Sequence, residues 1–193
     1  PSLVGSEMCI RDRIKTMTIE YRTATEEQKA VIEELLAAPF PATLETIAAR
    51  LDLTPLAAAQ ILGRDMCSFV TGDVTERFDE VWASLAQWER ATLFIQHGGH
   101  VFEIEAKLSA GKRAQGYYNI LHKNAVVGGH LKFDAVGAIA FASIPFMKRE
   151  SHCVIFFDKE GKVSFSVYLG RENHKIIESV KTLFFAGKEA FCA

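Results

Sequence analysis

The sequence predicts an α+β fold, in which N-terminal helices and a C-terminal helix pack on a large antiparallel β-sheet. Three observations lead to this prediction. Helical periodicity runs through residues 17–90, short alternating strands separated by turn residues follow from residue 91, and one more amphipathic stretch precedes the end of the chain. We therefore expect a helical region at 17–90 and a β-sheet region with a C-terminal helix at 91–193.

The first and last helices of the helical region are predicted from different patterns. Thr25 and Gln28 have the spacing of a capping box, and Pro39 predicts the end of the first helix. Residues 78–88 carry apolar side chains, among them Trp82, on a single helical face. Such a stripe is typical of a helix that buries one side, so we interpret Trp82 as a core residue.

Residues 43–63 predict two short helices around a tight turn, and this pattern has two interpretations. Thr54 caps the second helix and Gly63 ends it. A helix-turn-helix that reads DNA needs side chains that reach phosphates or base edges, but the second helix reads Pro-Leu-Ala-Ala-Ala-Gln-Ile-Leu. We favour a structural helical hairpin and keep a DNA-binding regulator as the less favoured alternative.

The alternating runs after residue 91 predict antiparallel meanders. The predicted strands cover residues 92–96, 100–108, 115–121, 127–133, 138–143, 153–158 and 163–169. A C-terminal helix is predicted over residues 172–188. Its inward-facing residues are expected to be Ile176, Val180, Leu183 and Phe184.

The composition argues against several functional classes. The chain has 193 residues and a formal net charge of −2, whereas bulk nucleic-acid binding needs a concentrated basic surface. No stretch approaches the ~20 uninterrupted apolar residues of a membrane span, and no secretory signal is recognisable. The four cysteines are scattered without a Cys-x-x-Cys pair. We expect reduced thiols in a cytoplasmic protein that binds no nucleic acid and has no membrane span.

Residues 1–16 are interpreted as non-native. Met8-Cys9-Ile10-Arg11-Asp12 back-translates to a nucleotide sequence that resembles the end of a transposase adaptor used for sequencing libraries. Residues 1–13 also have neither helical nor strand periodicity. We therefore expect adaptor read-through before Met17.

The most informative segment is a predicted hairpin. A two-residue loop at Lys123-Asn124 would place Tyr117 directly opposite His130, with their Cβ atoms ~5 Å apart on one face of the sheet. Tyr118 would then point to the other face. The geometry alone leaves two interpretations open, namely an ordinary polar pair on a sheet and a ligand site beside Gly128-Gly129.

Several short motifs resemble, in the same order, the ChuX/HutX family of haem-utilisation proteins. They are Gly116-Tyr-Tyr-Asn119 followed by Gly129-His-Leu-Lys132, Pro145-Phe-Met147 before Arg149-Glu-Ser-His152, Phe156-Phe before a turn, and Leu169-Gly-Arg-Glu-Asn-His174. The similarity covers most of residues 43–184. It implies an intracellular haem-binding protein that forms a homodimer through its sheets and is related to one half of the larger HemS/ChuS-type proteins.

The resemblance also implies a haem site. Tyr117 and His130 occupy the positions of family residues that hold haem iron, while Gln96 stands where some members have a second histidine. Ferric iron favours a phenolate oxygen, and a nearby imidazole can ligate the other side or hydrogen-bond the phenolate. The haem propionates favour cations, for which the candidates are Arg113, Lys132, Arg149 and Arg171. Met147, with Phe146, is a candidate for contact with the porphyrin face.

These expectations define a non-enzymatic carrier, which takes up haem after import and passes it to a haem-degrading or haem-receiving protein. The enzymatic alternative is haem degradation of the HemS/ChuS type. That chemistry needs an iron site that binds oxygen and an organised distal side. Because the resemblance covers only one half of such a protein, we expect carriage rather than catalysis.

Overall fold

The computed structural model describes residues 19–193, so the interpretation of residues 1–16 lies outside the described residues. The helices in this range are α1 (Glu26–Ala37), α2 (Leu44–Arg50), α3 (Pro55–Met66), α4 (Val74–Leu85) and α5 (Glu178–Cys192). The strands are β1 (Cys67–Phe69), β2 (Ala91–His97), β3 (His100–Ala106), β4 (Lys112–Ala114), β5 (Tyr117–Ile120), β6 (Gly129–Leu131), β7 (Val136–Ala142), β8 (Cys153–Asp158), β9 (Val163–Leu169), β10 (Arg171–Glu172) and β11 (Lys175–Ile176). Among residues 19–193, no helix has the length and apolar character needed to cross a membrane.

Six strands form one antiparallel sheet in the order β1-β7-β8-β9-β2-β3, which confirms the predicted α+β fold. Strands β7, β8 and β9 are consecutive in sequence and adjacent in space, as short hairpin connections favour. The strand β1 was not predicted. It lies within residues 17–90 and pairs with β7, so the helical region also supplies an edge strand.

Both faces of this sheet carry apolar side chains. We define the front face by Leu93, Phe141, Val154, Phe156 and Val167, which are buried against α4 and α5. The apolar stripe of α4 accounts for this packing, and its tryptophan is the core residue that the sequence predicts, with 1% of its surface exposed.

The back face is covered by the N-terminal helices. We define it by Ala138, Ala140, Cys153, Ile155 and Phe157, which form a core with α1, α2 and α3. The small side chains along β7 let the helices approach the sheet closely. The helices over residues 43–63 are therefore a packed structural hairpin, as the sequence analysis favours.

The cysteines within residues 19–193 are Cys67, Cys153 and Cys192, and all are buried free thiols. Burial is the main cause that raises the pKa of Cys67 to about 12. No disulfide joins these three residues, in agreement with the expected reduced thiols.

The C-terminal helix begins later than predicted. Residues 171–176 form the small hairpin β10–β11, whose tip has positive φ at Asn173 (49°) and His174 (64°), and α5 begins only at Glu178. Apolar periodicity did not reveal this hairpin, because Ile176 of β11 also fits the apolar stripe predicted for the helix. Leu183 is 39% exposed, so its predicted inward orientation was wrong, whereas Val180 and Phe184 are buried.

Candidate functional site

A tight turn sets the position of Tyr117. Ala114 pairs with Tyr117 across β4 and β5, so only Gln115 and Gly116 connect the two strands. Both have positive φ, 52° and 78°, as type I′ hairpin turns require. The strand predicted over residues 115–121 is therefore shorter, since its first two residues form the turn, and Tyr117 is the first residue of β5. Strand β4, which precedes the turn, was not predicted.

The register between β5 and β6 differs from the predicted one. Asn119, and not Tyr117, lies directly opposite His130, because the connection runs from residue 121 to residue 128 instead of being a two-residue loop. The pairing therefore shifts by two positions, and a shift of two preserves the alternation of faces. Tyr117 and His130 still share one face diagonally, with 6.1 Å between their ring centroids. The direct pairing was wrong, but the two rings do come together.

We call this face of the small sheet the outer face, and it is open to solvent. Tyr117 is 40% exposed there, and His130 is also exposed. The Lys132 ammonium lies 5.3 Å from the Tyr117 ring centroid and 3.0 Å from a carboxylate oxygen of Asp134. Tyr117 and His130 are therefore accessible to a ligand from solvent.

The inner face of the same small sheet belongs to the core. Tyr118 is 2% exposed, and its ring contacts Phe78 and Trp82 of α4 at centroid distances of 5.5 and 6.3 Å. Its hydroxyl oxygen accepts a 2.7 Å hydrogen bond from the Gly111 backbone N–H. Burial raises the pKa of Tyr118, and this hydrogen bond offsets part of the effect. Tyr118 therefore has the orientation that strand alternation predicts.

Asn119 connects the two strands on the outer face. Its Oδ1 lies 2.5 Å from Nδ1 of His130, while its Nδ2 donates to the carbonyl oxygens of Lys112, Ala114 and Tyr117 at 3.3, 3.0 and 3.0 Å. Asn119 was not predicted to have a role, because the expected register did not place it opposite His130. The alternation of faces was sufficient to identify it, since Asn119 lies two residues after Tyr117 in one strand.

Arg113 lies on the inner side of the small sheet. It pairs with Tyr118, and its Nε donates to Asp79 at 2.7 Å while its guanidinium lies 4.0 Å from the Phe133 ring centroid. These contacts tie the small sheet to α4. Of the four predicted propionate-binding cations, Lys132 is the one that the structure places beside Tyr117.

Met147, Arg149 and Arg171 lie on two other hairpins. Phe146 and Arg149 exchange backbone hydrogen bonds of 3.0 and 2.9 Å across a turn that exposes Met147. The Arg171 guanidinium donates to the backbone oxygens of Glu150 at 2.7 Å and His174 at 3.1 Å, which joins this hairpin to β10–β11. A haem contact by these three residues stays a prediction.

These hairpins border a cavity of about 620 Å³ on the part of the back face that the helices leave uncovered. Strands β2, β3 and β9 line it with apolar and acidic side chains, among them Phe94, Glu103 and Tyr168. Gln96 also lines the cavity and donates to a carboxylate oxygen of Glu45 at 3.0 Å. Gln96 and the outer face of the small sheet thus belong to different sides of the large sheet.

A second polar cluster was not predicted from the sequence. His152 is 7% exposed, with Nδ1 2.8 Å from the Ser143 hydroxyl and Nε2 2.9 Å from the Glu150 carboxylate. Lys181 contacts the same carboxylate at 2.7 Å. The hydrogen bond from Lys181 and then that from His152 hold the pKa of Glu150 below its usual range. This cluster anchors the Phe146 hairpin to α5.

The outer face brings a phenol, an imidazole and a cation together on an α+β scaffold. The family described as haem utilisation ChuX/HutX matches residues 72–183. The intracellular heme transport protein HutX of Vibrio cholerae serotype O1 is 33% identical over 150 residues, which are 78% of this chain and 75% of that protein. The chain belongs to the ChuX/HutX family, as its motifs predict.

Solved structures agree with this fold. The crystal structure of ChuX matches with a TM-score of 0.72 at 25% identity, over 83% of this chain and 96% of that chain. The heme degrading enzyme ChuS of Escherichia coli O157:H7 matches with a TM-score of 0.69 at 14% identity, over 89% of this chain and 50% of that chain. The likeness to ChuS concerns the fold alone, and it involves about half of that longer protein.

Proposed function

We propose that this chain is an intracellular haem carrier that binds haem iron through Tyr117 and His130. The observation that carries the proposal is the convergence of these two rings on the exposed outer face of a ChuX/HutX family member. The HutX relative is named as an intracellular heme transport protein, which supports the same role and a cytoplasmic location. The cargo is then passed to a haem-degrading or haem-receiving protein.

The donor set of the outer face fits ferric haem. A phenolate oxygen is a hard ligand for ferric iron, and an imidazole nitrogen is a common axial ligand. Lys132 supplies a positive charge beside Tyr117, where it can contact a propionate. The exposure of Tyr117 and His130 leaves room for a flat ring system on the outer face.

An exposed site also fits a carrier because the cargo must leave. A micromolar dissociation constant corresponds to ~8 kcal/mol of binding free energy, which is compatible with fast release. A haem-degrading enzyme encloses its iron site and organises the distal side, where oxygen reacts. Tyr117 and His130 are instead both exposed to solvent.

We further propose that two copies of the chain form a homodimer through the uncovered part of the back face. Strands β2, β3 and β9 carry no helix there, and the side chains at its border include Val101, which is 55% exposed, and Phe146, which is 37% exposed. Burial of such a surface against a second copy would remove apolar area from water.

The haem site is tested by titrating the purified protein with ferric haem and following its absorption. We expect Tyr117→Phe and His130→Ala each to change the ferric spectrum and to weaken binding by about 10-fold or more, since each removes an iron-directed donor. Tyr118→Phe is the matched control, because it removes the neighbouring hydroxyl on the inner face. Unchanged spectra in both of the first two variants would contradict the assigned site.

The enzymatic alternative is tested with the same loaded protein. Haem is bound without oxygen, and ascorbate and air are then added in the presence of catalase. A carrier leaves the Soret band largely intact or bleaches it without a defined product. Formation of an open-chain tetrapyrrole under these conditions would instead identify a haem-degrading enzyme.

The DNA-binding alternative is not favoured by the packing of α3. Ala58, Ala59 and Gln60 are buried, and the Leu56 backbone N–H donates to the carbonyl oxygen of Gly161 at the end of the large sheet. A recognition helix must present a free face to the major groove. Salt-dependent binding to duplex DNA would be the observation in favour of this alternative.

A further inference from the structure

We propose that Asn119 is a positioning residue that fixes the tautomer of His130, with the proton on Nδ1 and the lone pair on Nε2. The inference rests on the proposed function, because it concerns the same haem site. It adds a residue that neither the motifs nor the family description assigns, and it states which nitrogen of His130 is available to iron.

The first step is the orientation of the Asn119 amide. One end of this amide faces three backbone carbonyl oxygens, those of Lys112, Ala114 and Tyr117, at 3.0–3.3 Å. Only an NH₂ group can satisfy these oxygens, because an amide oxygen in the same place would be repelled by all three. The Asn119 nitrogen therefore points to the carbonyls, and its Oδ1 points to His130.

The oxygen end of the Asn119 amide determines which nitrogen of His130 carries the proton. Oδ1 is an acceptor only, and it lies 2.5 Å from Nδ1 of His130. A hydrogen bond at this distance requires the proton on Nδ1. In the neutral imidazole, Nε2 then carries no proton and keeps its lone pair.

The Nε2 atom of His130 is the nitrogen that remains available to iron. His130 is exposed on the outer face, and its ring is inclined by 70° to the ring of Tyr117. An unprotonated Nε2 can donate its lone pair to iron, whereas an N–H at this position could not. In metal sites, a hydrogen-bond partner on the histidine nitrogen that does not bind the metal commonly fixes the tautomer and orientation of the ring. Loss of that partner weakens metal binding by about 10- to 100-fold.

The orientation of Asn119 is in turn held by the hairpin. Two of its three carbonyl partners belong to β4, and the third is the carbonyl of Tyr117 in its own strand. The type I′ turn at Gln115-Gly116 brings these carbonyls together on one side of Asn119. The hairpin that presents the phenol therefore also sets the tautomer of the histidine.

The tautomer is tested on the haem-free protein by long-range ¹H–¹⁵N correlation spectroscopy at about pH 8.5, where an ordinary imidazole is neutral. The His130 signals are assigned by their loss in His130→Ala, since the chain has six histidines. We expect a protonated Nδ1 and an unprotonated Nε2. A spectrum in which Nε2 carries the proton would overturn the inference, whatever the protein's affinity for haem.

Two variants separate positioning from a purely structural role. Asn119→Asp and Asn119→Leu both lose the donation to the three carbonyls, but only aspartate keeps an acceptor for Nδ1–H. The second oxygen of the aspartate would face the three carbonyl oxygens, so we expect Asn119→Asp to lower the free energy of unfolding while its first oxygen still accepts from Nδ1–H. We expect Asn119→Leu to weaken ferric haem binding by about 10- to 100-fold and to lose the preference for a protonated Nδ1, and Asn119→Asp to keep the protonated Nδ1. Loss of the protonated Nδ1 in Asn119→Asp, or its retention in Asn119→Leu, would overturn the positioning role.

The two proposals fail in different ways. If His130→Ala binds haem as the wild type does while the tautomer is as expected, the haem site is wrong and the tautomer inference stands. If His130→Ala loses affinity while Nε2 is protonated in the wild type, the haem site stands and the role of Asn119 is wrong.

Discussion

Tyr117 and Tyr118 are adjacent in sequence but have different roles because successive residues of a strand point to opposite faces. The first is exposed beside His130, and the second is buried against α4. This separation was predictable from alternation alone, without knowledge of the register. The residue directly opposite His130 was not predictable in this way, because it depends on the length of the connection between β5 and β6.

Arg171 illustrates how a plausible rim cation is engaged in the protein itself. The sequence predicts a propionate contact for Arg171, but its guanidinium donates to two backbone oxygens. The carbonyl oxygen of Arg171 also accepts a 3.0 Å hydrogen bond from the Arg90 guanidinium. We infer that Arg171 mainly holds the hairpins together.

We therefore expect Arg171→Ala to lower the free energy of unfolding by about 1–2 kcal/mol, because two hydrogen bonds from a charged donor are lost. The loss should depend little on salt, and the affinity for ferric haem should stay nearly unchanged. Denaturant unfolding and haem titration at two salt concentrations measure both quantities. Arg149→Ala is the control, and a salt-dependent loss of haem affinity specific to Arg171→Ala would support the propionate contact instead.

At the scale of elements, the strands on either side of the clear turn signal Lys159-Glu-Gly161 were predicted well, and two tight turns were not. Strands β8 and β9 begin and end at the predicted residues, 153–158 and 163–169. The turns at Gln115-Gly116 and Asn173-His174 were missed, since three of these four residues are not glycine and still adopt positive φ. Gln115 is not among the residues that favour positive φ, so the tertiary fold decided its conformation.

The turn before Tyr117 provides a test of this explanation. Gln115 has φ of 52°, a region that asparagine tolerates better than glutamine does and that β-branched residues strongly disfavour. We expect Gln115→Asn to raise the free energy of unfolding by about 0.5 kcal/mol and Gln115→Val to lower it by about 1–2 kcal/mol. Denaturant midpoints of the two variants measure the effect. Equal stabilities would mean that the turn does not have this conformation in solution.

Residues 19–193 pack into two apolar cores, one on each face of the large six-stranded sheet. Alternate residues of β7 belong to different cores, with Phe141 in the front core and Ala140 in the back core. The division into residues 17–90 and 91–193 therefore describes the order of elements along the chain. It does not describe two separate cores, because α4 packs on the front face and α1 to α3 on the back face of the same sheet.

This architecture predicts the result of removing the N-terminal helices. Deletion through Gly63 removes Ile47, Ala58 and Ala59, which are fully buried, and leaves Ile155 and Phe157 of the back face uncovered. Each large apolar side chain that becomes exposed costs about 1.5–3 kcal/mol. We expect aggregation or an altered mass in sedimentation velocity, measured against the dimer proposed for the full chain.

Deletion of residues 1–16 is the matched control for this experiment, and we expect it to leave solubility, mass and haem binding unchanged. The longer deletion keeps the whole outer face with Tyr117 and His130, so a loss of haem binding there must come from the failure of the sheet to stay folded. If instead the longer deletion stays soluble, keeps its mass and binds haem fully, α1 to α3 form an independent module. That outcome would favour the DNA-binding alternative, because a hairpin free of the sheet has a face to present to the major groove.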